Sequence, residues 1–95
     1  MENTLLYLGR SNSMFKIKSP DENVEDKELT KGEFISLYSK IVYETMNNNI
    51  DDGNEWAKWF YLYDDIDKTS IETMISVLQS LGYEIKEEFG NEKIR

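Results

Sequence analysis

The sequence predicts a single α+β domain in which three helices cover one face of a small antiparallel β-sheet and leave the other face in solvent. Three observations lead to this prediction. Two short apolar segments near the N-terminus are separated by turn-forming residues, two capping motifs precede apolar residues at helical spacing, and an alternating segment follows the last helix. A mostly helical bundle with frayed ends is the alternative fold.

Residues 1–18 are predicted to form a β-hairpin. Its strands are residues 5–8, with the sequence Leu-Leu-Tyr-Leu, and residues 14–18, with the sequence Met-Phe-Lys-Ile-Lys. The intervening residues 9–13 contain glycine, asparagine and serine, which tolerate the backbone dihedrals of turns. The two strands would therefore pair with each other.

A polar, acidic linker is predicted over residues 19–28, and the only proline of the chain, Pro20, stands at its start. The linker separates the hairpin from a helical body that takes up residues 29–95 and ends in a strand. With 95 residues, the whole chain is long enough for one core and one domain.

The first helix is predicted over residues 31–47. Thr30 and Glu33 have the spacing of a capping box, and Leu29 and Phe34 are placed to form a hydrophobic staple around it. Behind this motif, one apolar helical face is formed by Phe34, Leu37, Tyr38, Ile41, Val42 and Met46.

The second helix is predicted over residues 55–65, with Asp52 or Asn54 as its cap. The segment fits two periods. One helical face would contain Trp56, Trp59, Phe60 and Tyr63, whereas one face of a strand would contain Trp59, Tyr61 and Tyr63. The helix is favoured because the first residues of the segment are weak strand formers.

A third helix is predicted before Gly82, which would end it. Asp67 or Thr69 can cap this helix, and Thr69 and Glu72 repeat the capping-box spacing. Its apolar stripe consists of Ile71, Met74, Ile75, Leu78 and Leu81. The alternation in residues 83–89 then predicts a strand that joins the N-terminal hairpin.

Composition argues against catalysis and against direct binding of nucleic acid. The chain has no cysteine and no histidine, so it lacks thiolate metal ligands and the commonest general base. Its net charge is −8, and no patch of clustered lysines and arginines is large enough to bind a nucleic-acid backbone. No apolar run is long enough for a signal peptide or a membrane span. We therefore expect a cytoplasmic protein without enzymatic activity and without a cofactor.

A metal site is not predicted either. The oxygen-rich segment from Asn48 to Gly53 was compared with a calcium loop, in which oxygen ligands occupy the first, third and fifth positions before a glycine. Aligning Gly53 with that glycine puts Ile50 at the third position and Trp59 at the twelfth, where ligands are needed. Two apolar side chains therefore occupy liganding positions.

Residues 51–67 are the predicted site of partner binding. Both tryptophans and two of the six tyrosines lie here between clusters of aspartate. Most of these rings are expected in the core, but in a helix they cannot all face inward, so Tyr61 and Leu62 are predicted to be exposed or to lie at an interface. The residues predicted to contact the partner are Asp51, Asp52, Glu55, Trp56, Tyr61, Tyr63, Asp64, Asp65 and Asp67.

Acid-flanked rings indicate a non-catalytic protein that binds another protein with a basic surface and inhibits or regulates it. In a narrower form, the chain is an inhibitor encoded by a phage or other mobile element, which acts in the bacterial host cytoplasm on a defence or DNA-handling enzyme by negative-charge mimicry. The single alanine beside nine isoleucines, nine lysines and eight asparagines fits an AT-rich genome.

The alternative is a homo-oligomer that binds or sequesters a nucleotide-like ligand between aromatic rings of adjacent subunits. Arg10, Lys16 and Lys18 would then hold the phosphate, because they form the only local cluster of positive charge.

Overall fold

The computed structural model describes residues 13–88 and confirms the α+β class. The elements in chain order are β1 (Met14–Lys18), β2 (Lys27–Thr30), α1 (Lys31–Asn48), α2 (Gly53–Asp64), a 3-10 helix (Ile66–Lys68), α3 (Ile71–Ser80) and β3 (Glu84–Glu88). No helix in this part of the chain has both the length and the apolar character needed to cross a membrane. The predicted strand at residues 5–8 lies outside the described residues.

The sheet has the order β2-β1-β3, with both neighbours antiparallel to β1. Phe15 and Ile17 of β1 are buried, whereas Lys16 and Lys18 between and after them are exposed. Since alternate side chains of a strand point to opposite faces, one face of the sheet packs on the helices and the other is in solvent. The solvent-facing side of the sheet and the C-terminal strand are as predicted, but the buried face is covered by α1 and α3 only, because α2 packs on α1 and not on the sheet.

Both edges of β1 are occupied by strands that come later in the chain, and one of them was missed. Residues 27–28, assigned to the linker, begin β2, whose Leu29 lies opposite Phe15. Leu29 is the only one of the four β2 side chains that is not exposed. A polar edge strand shows little alternation, so its pairing is set by the neighbouring strand and not by its own pattern.

Helix α1 begins with the predicted capping box. The Thr30 hydroxyl accepts a hydrogen bond from the Glu33 N–H at 3.2 Å, and Glu33 Oε1 accepts one from the Thr30 N–H at 2.9 Å. The helix then lies between the sheet and α2. Its buried side chains are the predicted ones apart from the half-buried Leu37, namely Phe34, Tyr38, Ile41, Val42 and Met46.

Helix α3 is present, but its cap is Ser70 and not Asp67 or Thr69. Ser70 Oγ accepts a hydrogen bond from the Thr73 N–H at 3.1 Å, whereas the Thr69 hydroxyl donates one to the Asp65 carbonyl at 2.7 Å. The 3-10 helix uses the residues just before Ser70 and so moves the start of α3 by about one residue. The chain turns after α3 as predicted, at Gly82 with φ 99°.

Tyr38 is fully buried in α1, and its hydroxyl has no hydrogen-bond partner among the described residues. Burial of an unpaired hydroxyl is unfavourable. Burial also raises the pKa of Tyr38 above its usual value of about 10, because the phenolate would lose its hydration.

Tyr38→Phe is therefore expected to leave the free energy of unfolding unchanged at pH 7, or to raise it by up to about 1 kcal/mol. The pKa of Tyr38 is lower in the unfolded chain than in the fold, so ionisation of Tyr38 favours unfolding. The free energy of unfolding is therefore unaffected by this ionisation below about pH 10 and falls as the pH rises further. Urea unfolding at pH 7 and at alkaline pH measures both effects. A variant that is less stable at pH 7, or loses as much stability as the wild type at alkaline pH, contradicts the expectation.

Candidate protein-binding surface

The ring-bearing segment is a helix, as predicted, and it begins at Asp52. One carboxylate oxygen of Asp52 accepts hydrogen bonds from the backbone N–H groups of Asn54 at 3.2 Å and Glu55 at 3.3 Å. Helix α2 runs from Gly53 to Asp64, two residues longer at its start and one shorter at its end than the predicted range of 55–65. Capping of its free N–H groups therefore favours a helix over a strand in this segment.

Trp59 fixes α2 to the core of the domain. It is 4% exposed, while Trp56 and Leu62 are half-buried and pack against the core. The prediction that Leu62 is exposed is therefore wrong. Leu62 lies three residues after Trp59 and so shares the face of α2 that is turned toward α1.

The remaining rings of α2 are exposed. Tyr61 is 65% exposed, as predicted, and Tyr63 and Phe60 are 40% and 36% exposed. Tyr43 of α1, at 46%, adds a ring from the neighbouring helix. We call this surface the aromatic stripe, and its members are Tyr43, Trp56, Phe60, Tyr61 and Tyr63.

The rings of the aromatic stripe contact one another. The ring centroids of Trp56 and Phe60 are 5.2 Å apart and stacked, and those of Phe60 and Tyr61 are 5.8 Å apart. Tyr63 contacts Tyr43 across the two helices at 5.3 Å. Because Phe60 and Tyr63 are three residues apart on one helix face, the two groups of rings adjoin. The stripe thus consists of two groups of contacting rings at neighbouring positions of α2 and α1.

The predicted carboxylates stand mainly at the two ends of α2. Asp51 and Asp52 lie at its N-terminal end, and a second group lies at and after its C-terminal end, namely Asp64, Asp65 and Asp67; all five are exposed. Glu55 is half-buried and lies in the first turn of α2, next to Trp56 in the sequence. At a rise of 1.5 Å per residue, the two ends are about 18 Å apart.

The two ends differ electrostatically. Carboxylates at the N-terminal end meet free N–H groups, whereas those at the C-terminal end meet free carbonyl groups, which repel them. Helix α2 has no basic residue in its last turn. The side chains of Asp64, Asp65 and Asp67 form no hydrogen bond or ion pair with any other described residue. Their placement therefore contributes nothing favourable to α2.

The other acidic clusters lie elsewhere on the molecule. Asp21, Glu22 and Asp26 line a depression together with Glu84, and no residue of α2 is among its lining residues. The acidic clusters at 21–28 and 84–88 therefore adjoin each other, and they do not extend the surface of α2.

The lysines predicted to hold a phosphate, Lys16 and Lys18, lie on the sheet and not beside the aromatic stripe. A depression of about 460 Å³ on the sheet is lined by four lysines with three carboxylates and two isoleucines, namely Lys16, Lys18, Lys27, Lys86, Asp26, Glu28, Glu84, Ile17 and Ile85. It contains no ring on which a base could stack. Arg10, also predicted to hold a phosphate, lies outside the described residues. Within the described residues, the depression that contains Lys16 and Lys18 therefore lacks the stacking ring that a nucleotide site requires.

Two members of the aromatic stripe were absent from the predicted site. Phe60 was left out of the predicted site, although it follows Trp56 by four residues and so shares the face of a predicted site residue. Tyr43 lies next to the buried Val42, just outside the apolar face of α1. An aromatic residue at the border of an apolar face is the signal that could have identified it.

Within residues 13–88, no group of three or more acidic side chains is placed to hold a metal ion. Comparison of the chain with protein-family models, with curated proteins and with solved structures gives no match. Any functional conclusion must therefore come from the chain's own surface.

Asp52→Ala is expected to lower the free energy of unfolding by about 1 kcal/mol, because two N–H groups of α2 lose their acceptor. Asp52→Asn should cost only a few tenths of a kcal/mol, since asparagine is also a good cap. Asp51→Ala is the control, because it removes the same charge from the preceding residue. Urea unfolding measures all three variants. Equal losses for the two alanine variants would show that charge, and not capping, matters at this end.

Proposed function

We propose that this protein is a non-catalytic binding domain that inhibits or regulates another protein by placing the aromatic stripe on that protein's surface. The observation that carries the proposal is the row of contacting, exposed rings on α2 and α1. Helix packing has buried Trp59 in the same segment, and of the stripe only the half-buried Trp56 also packs against the core, so the exposed rings are not needed to complete it.

Rings of this kind are well suited to binding proteins. Aromatic side chains supply a large contact area for few rotatable bonds, and tyrosine and tryptophan are enriched among the residues that contribute most to binding. The tyrosine hydroxyl tolerates water in the free state. Carboxylates at both ends of the stripe favour a partner whose surface carries lysine or arginine.

The narrower form of the proposal is inhibition of a DNA-handling or defence enzyme of a bacterial host by negative-charge mimicry. The net charge of −8 and the unpaired carboxylates beside the stripe support it. Such an inhibitor competes with DNA for the enzyme, so added duplex DNA should displace it. A partner that binds DNA and this protein at the same time would contradict mimicry but not protein binding.

The test of the proposal is a double variant of the two most exposed rings, Tyr43→Ala with Tyr61→Ala. Wild-type protein immobilised on a support should capture a specific partner from a low-GC bacterial lysate at low salt. Calorimetry with that purified partner should show affinity at least about 100-fold weaker for the double variant, because two central contact residues are lost. The free energy of unfolding should change by less than about 0.5 kcal/mol for each substitution, since both side chains are exposed.

Ile50→Ala is the matched control, because Ile50 is 67% exposed and lies between α1 and α2, outside the stripe. It should bind the partner as the wild type does. Failure to recover any partner at low and at physiological salt, or equal affinity of the double variant, would overturn the proposal.

A further inference from the structure

From the shape and charge of this surface we infer the class of partner element that it takes: an amphipathic helix with its lysine- or arginine-rich end at the C-terminal end of α2. This inference rests on the proposed function and makes it more specific. It depends on three features of the described residues, which are the spacing of the rings, the position of the charges and the difference between the two ends of α2.

The spacing of the rings favours a helix as the partner. Trp56, Phe60 and Tyr63 stand at positions i, i+4 and i+7 of α2, the spacing at which side chains form a ridge along a helix. Tyr43 continues this surface onto α1. A narrow apolar strip along a helix pair is the kind of surface on which a third amphipathic helix packs with its own i, i+3, i+4 and i+7 residues.

The acidic residues lie at the two ends of the aromatic stripe and not within it. From Trp56 to Tyr63 the only charged residue is Lys58, whose ammonium lies 5.4 Å from the ring centroid of the buried Trp59, on a different side of α2 from the ridge. A helix that spans the about 18 Å between the acidic ends would have about 12 residues. Its apolar residues would meet the rings and its terminal residues would meet carboxylates.

The two acidic ends are not equivalent toward such a helix. Asp52 already accepts two hydrogen bonds from α2, and the free N–H groups there offset its charge. Asp64, Asp65 and Asp67 add to the negative end of the helix dipole and have no described partner. A lysine or arginine gains most where the negative potential is least compensated, which is this second end.

A second copy of the chain is a poor occupant. Pairing two stripes in parallel would bring each aspartate group against itself, and antiparallel pairing would bring Asp64 and Asp65 of one copy against Asp51 and Asp52 of the other. Like charges would meet in both arrangements, and their repulsion opposes association. The occupant is therefore a different chain with basic residues.

The probe for this inference is a displayed library of 18-residue helical peptides. Each peptide carries apolar residues on one face, and lysine, glutamine and glutamate vary at the two ends. Selection against the whole protein should enrich peptides with lysines at one end. A synthetic copy of the enriched peptide should bind at least about tenfold more tightly than the same peptide with glutamates in place of these lysines.

Two matched double variants locate the cationic end. Asp64→Asn with Asp65→Asn removes two charges from the C-terminal end, and Asp51→Asn with Asp52→Asn removes two from the N-terminal end while keeping a capping residue. The first pair should weaken binding of the enriched peptide about five- to tenfold at low salt, and the second less than about twofold. Equal effects of the two pairs, or a larger effect of the second, would overturn the inference.

The outcomes separate this inference from the proposed function. Peptides whose binding requires Tyr43 and Tyr61 but shows no preference for lysine would overturn the inference. They would still support binding of a partner by the aromatic stripe. Peptides that bind the ring double variant as tightly as the wild type overturn both. If no peptide is enriched, the inference that the partner element is an amphipathic helix is overturned. Capture of a partner from lysate then tests the proposed function independently.

Discussion

Replacing Phe34 with alanine is expected to lower the free energy of unfolding by about 3–5 kcal/mol. Phe34 of α1 is fully buried, and its ring stacks on that of Phe15 of β1 with centroids 4.4 Å apart and an interplanar angle of 13°. This stack joins the first long helix to the central strand. Its removal leaves a cavity between two layers that neither layer can fill without moving.

The loss matters because a small domain has a total stability of about 5–15 kcal/mol. Phe34→Ala should therefore shift the urea midpoint far toward zero or leave the chain largely unfolded at 37 °C. Phe60→Ala is the matched control: it makes the same chemical change at a ring that is 36% exposed, and should cost about 1 kcal/mol or less. Equal losses from the two variants would contradict the core position of Phe34.

The second large effect is expected for Trp59→Ala, again about 3–5 kcal/mol. Trp59 is the buried residue of α2 and lies in the same core cluster as Met46 of α1 and Met74 of α3. Without this indole, α2 loses its main contact with the rest of the domain. The aromatic stripe should then lose its fixed geometry, because α2 carries most of its rings.

Two measurements test this expectation. Urea unfolding gives the loss of stability, and calorimetry under conditions where the variant is still folded gives the loss of partner binding. Lys58→Ala is the control, since the Lys58 ammonium only lies over the outside of the Trp59 ring at 5.4 Å and an exposed cation of this kind contributes about 0.5–1 kcal/mol. A Trp59→Ala protein that is as stable as Lys58→Ala would show that α2 is held by other residues.

The helices could be predicted well because their signals are local. The capping box at Thr30 and Glu33 was predicted from the sequence, and Asp52 was one of the two caps predicted for α2. Each of these caps satisfies N–H groups of the turn that follows it. The cap of α3 was missed because three oxygen-bearing candidates, Asp67, Thr69 and Ser70, lie within four residues. The 3-10 helix determines which of them caps α3, and its formation depends on the backbone conformation after the end of α2.

The sheet was harder to predict because pairing is not local. Strand β2 has one partly buried residue, Leu29, and so gives no alternation. The apolar residues 5–8 were therefore predicted to pair with β1, whose two edges are taken by β2 and β3. At the site, the helical period correctly indicated that rings would remain outside and that Tyr61 is one of them. It could not show where α1 covers α2, which is why Leu62 was misplaced and Tyr43 and Phe60 were missed.

The central position of β1 in the sheet has a consequence for folding during synthesis on the ribosome. Met14 to Lys18 hydrogen-bond on one side with Lys27 to Thr30 and on the other with Glu84 to Glu88, about 70 positions later. Translation must have passed residue 88 before that second side can close. Until then one edge of β1 carries unpaired backbone N–H and C=O groups, so a nascent chain whose synthesis stops within α3 would be prone to aggregation.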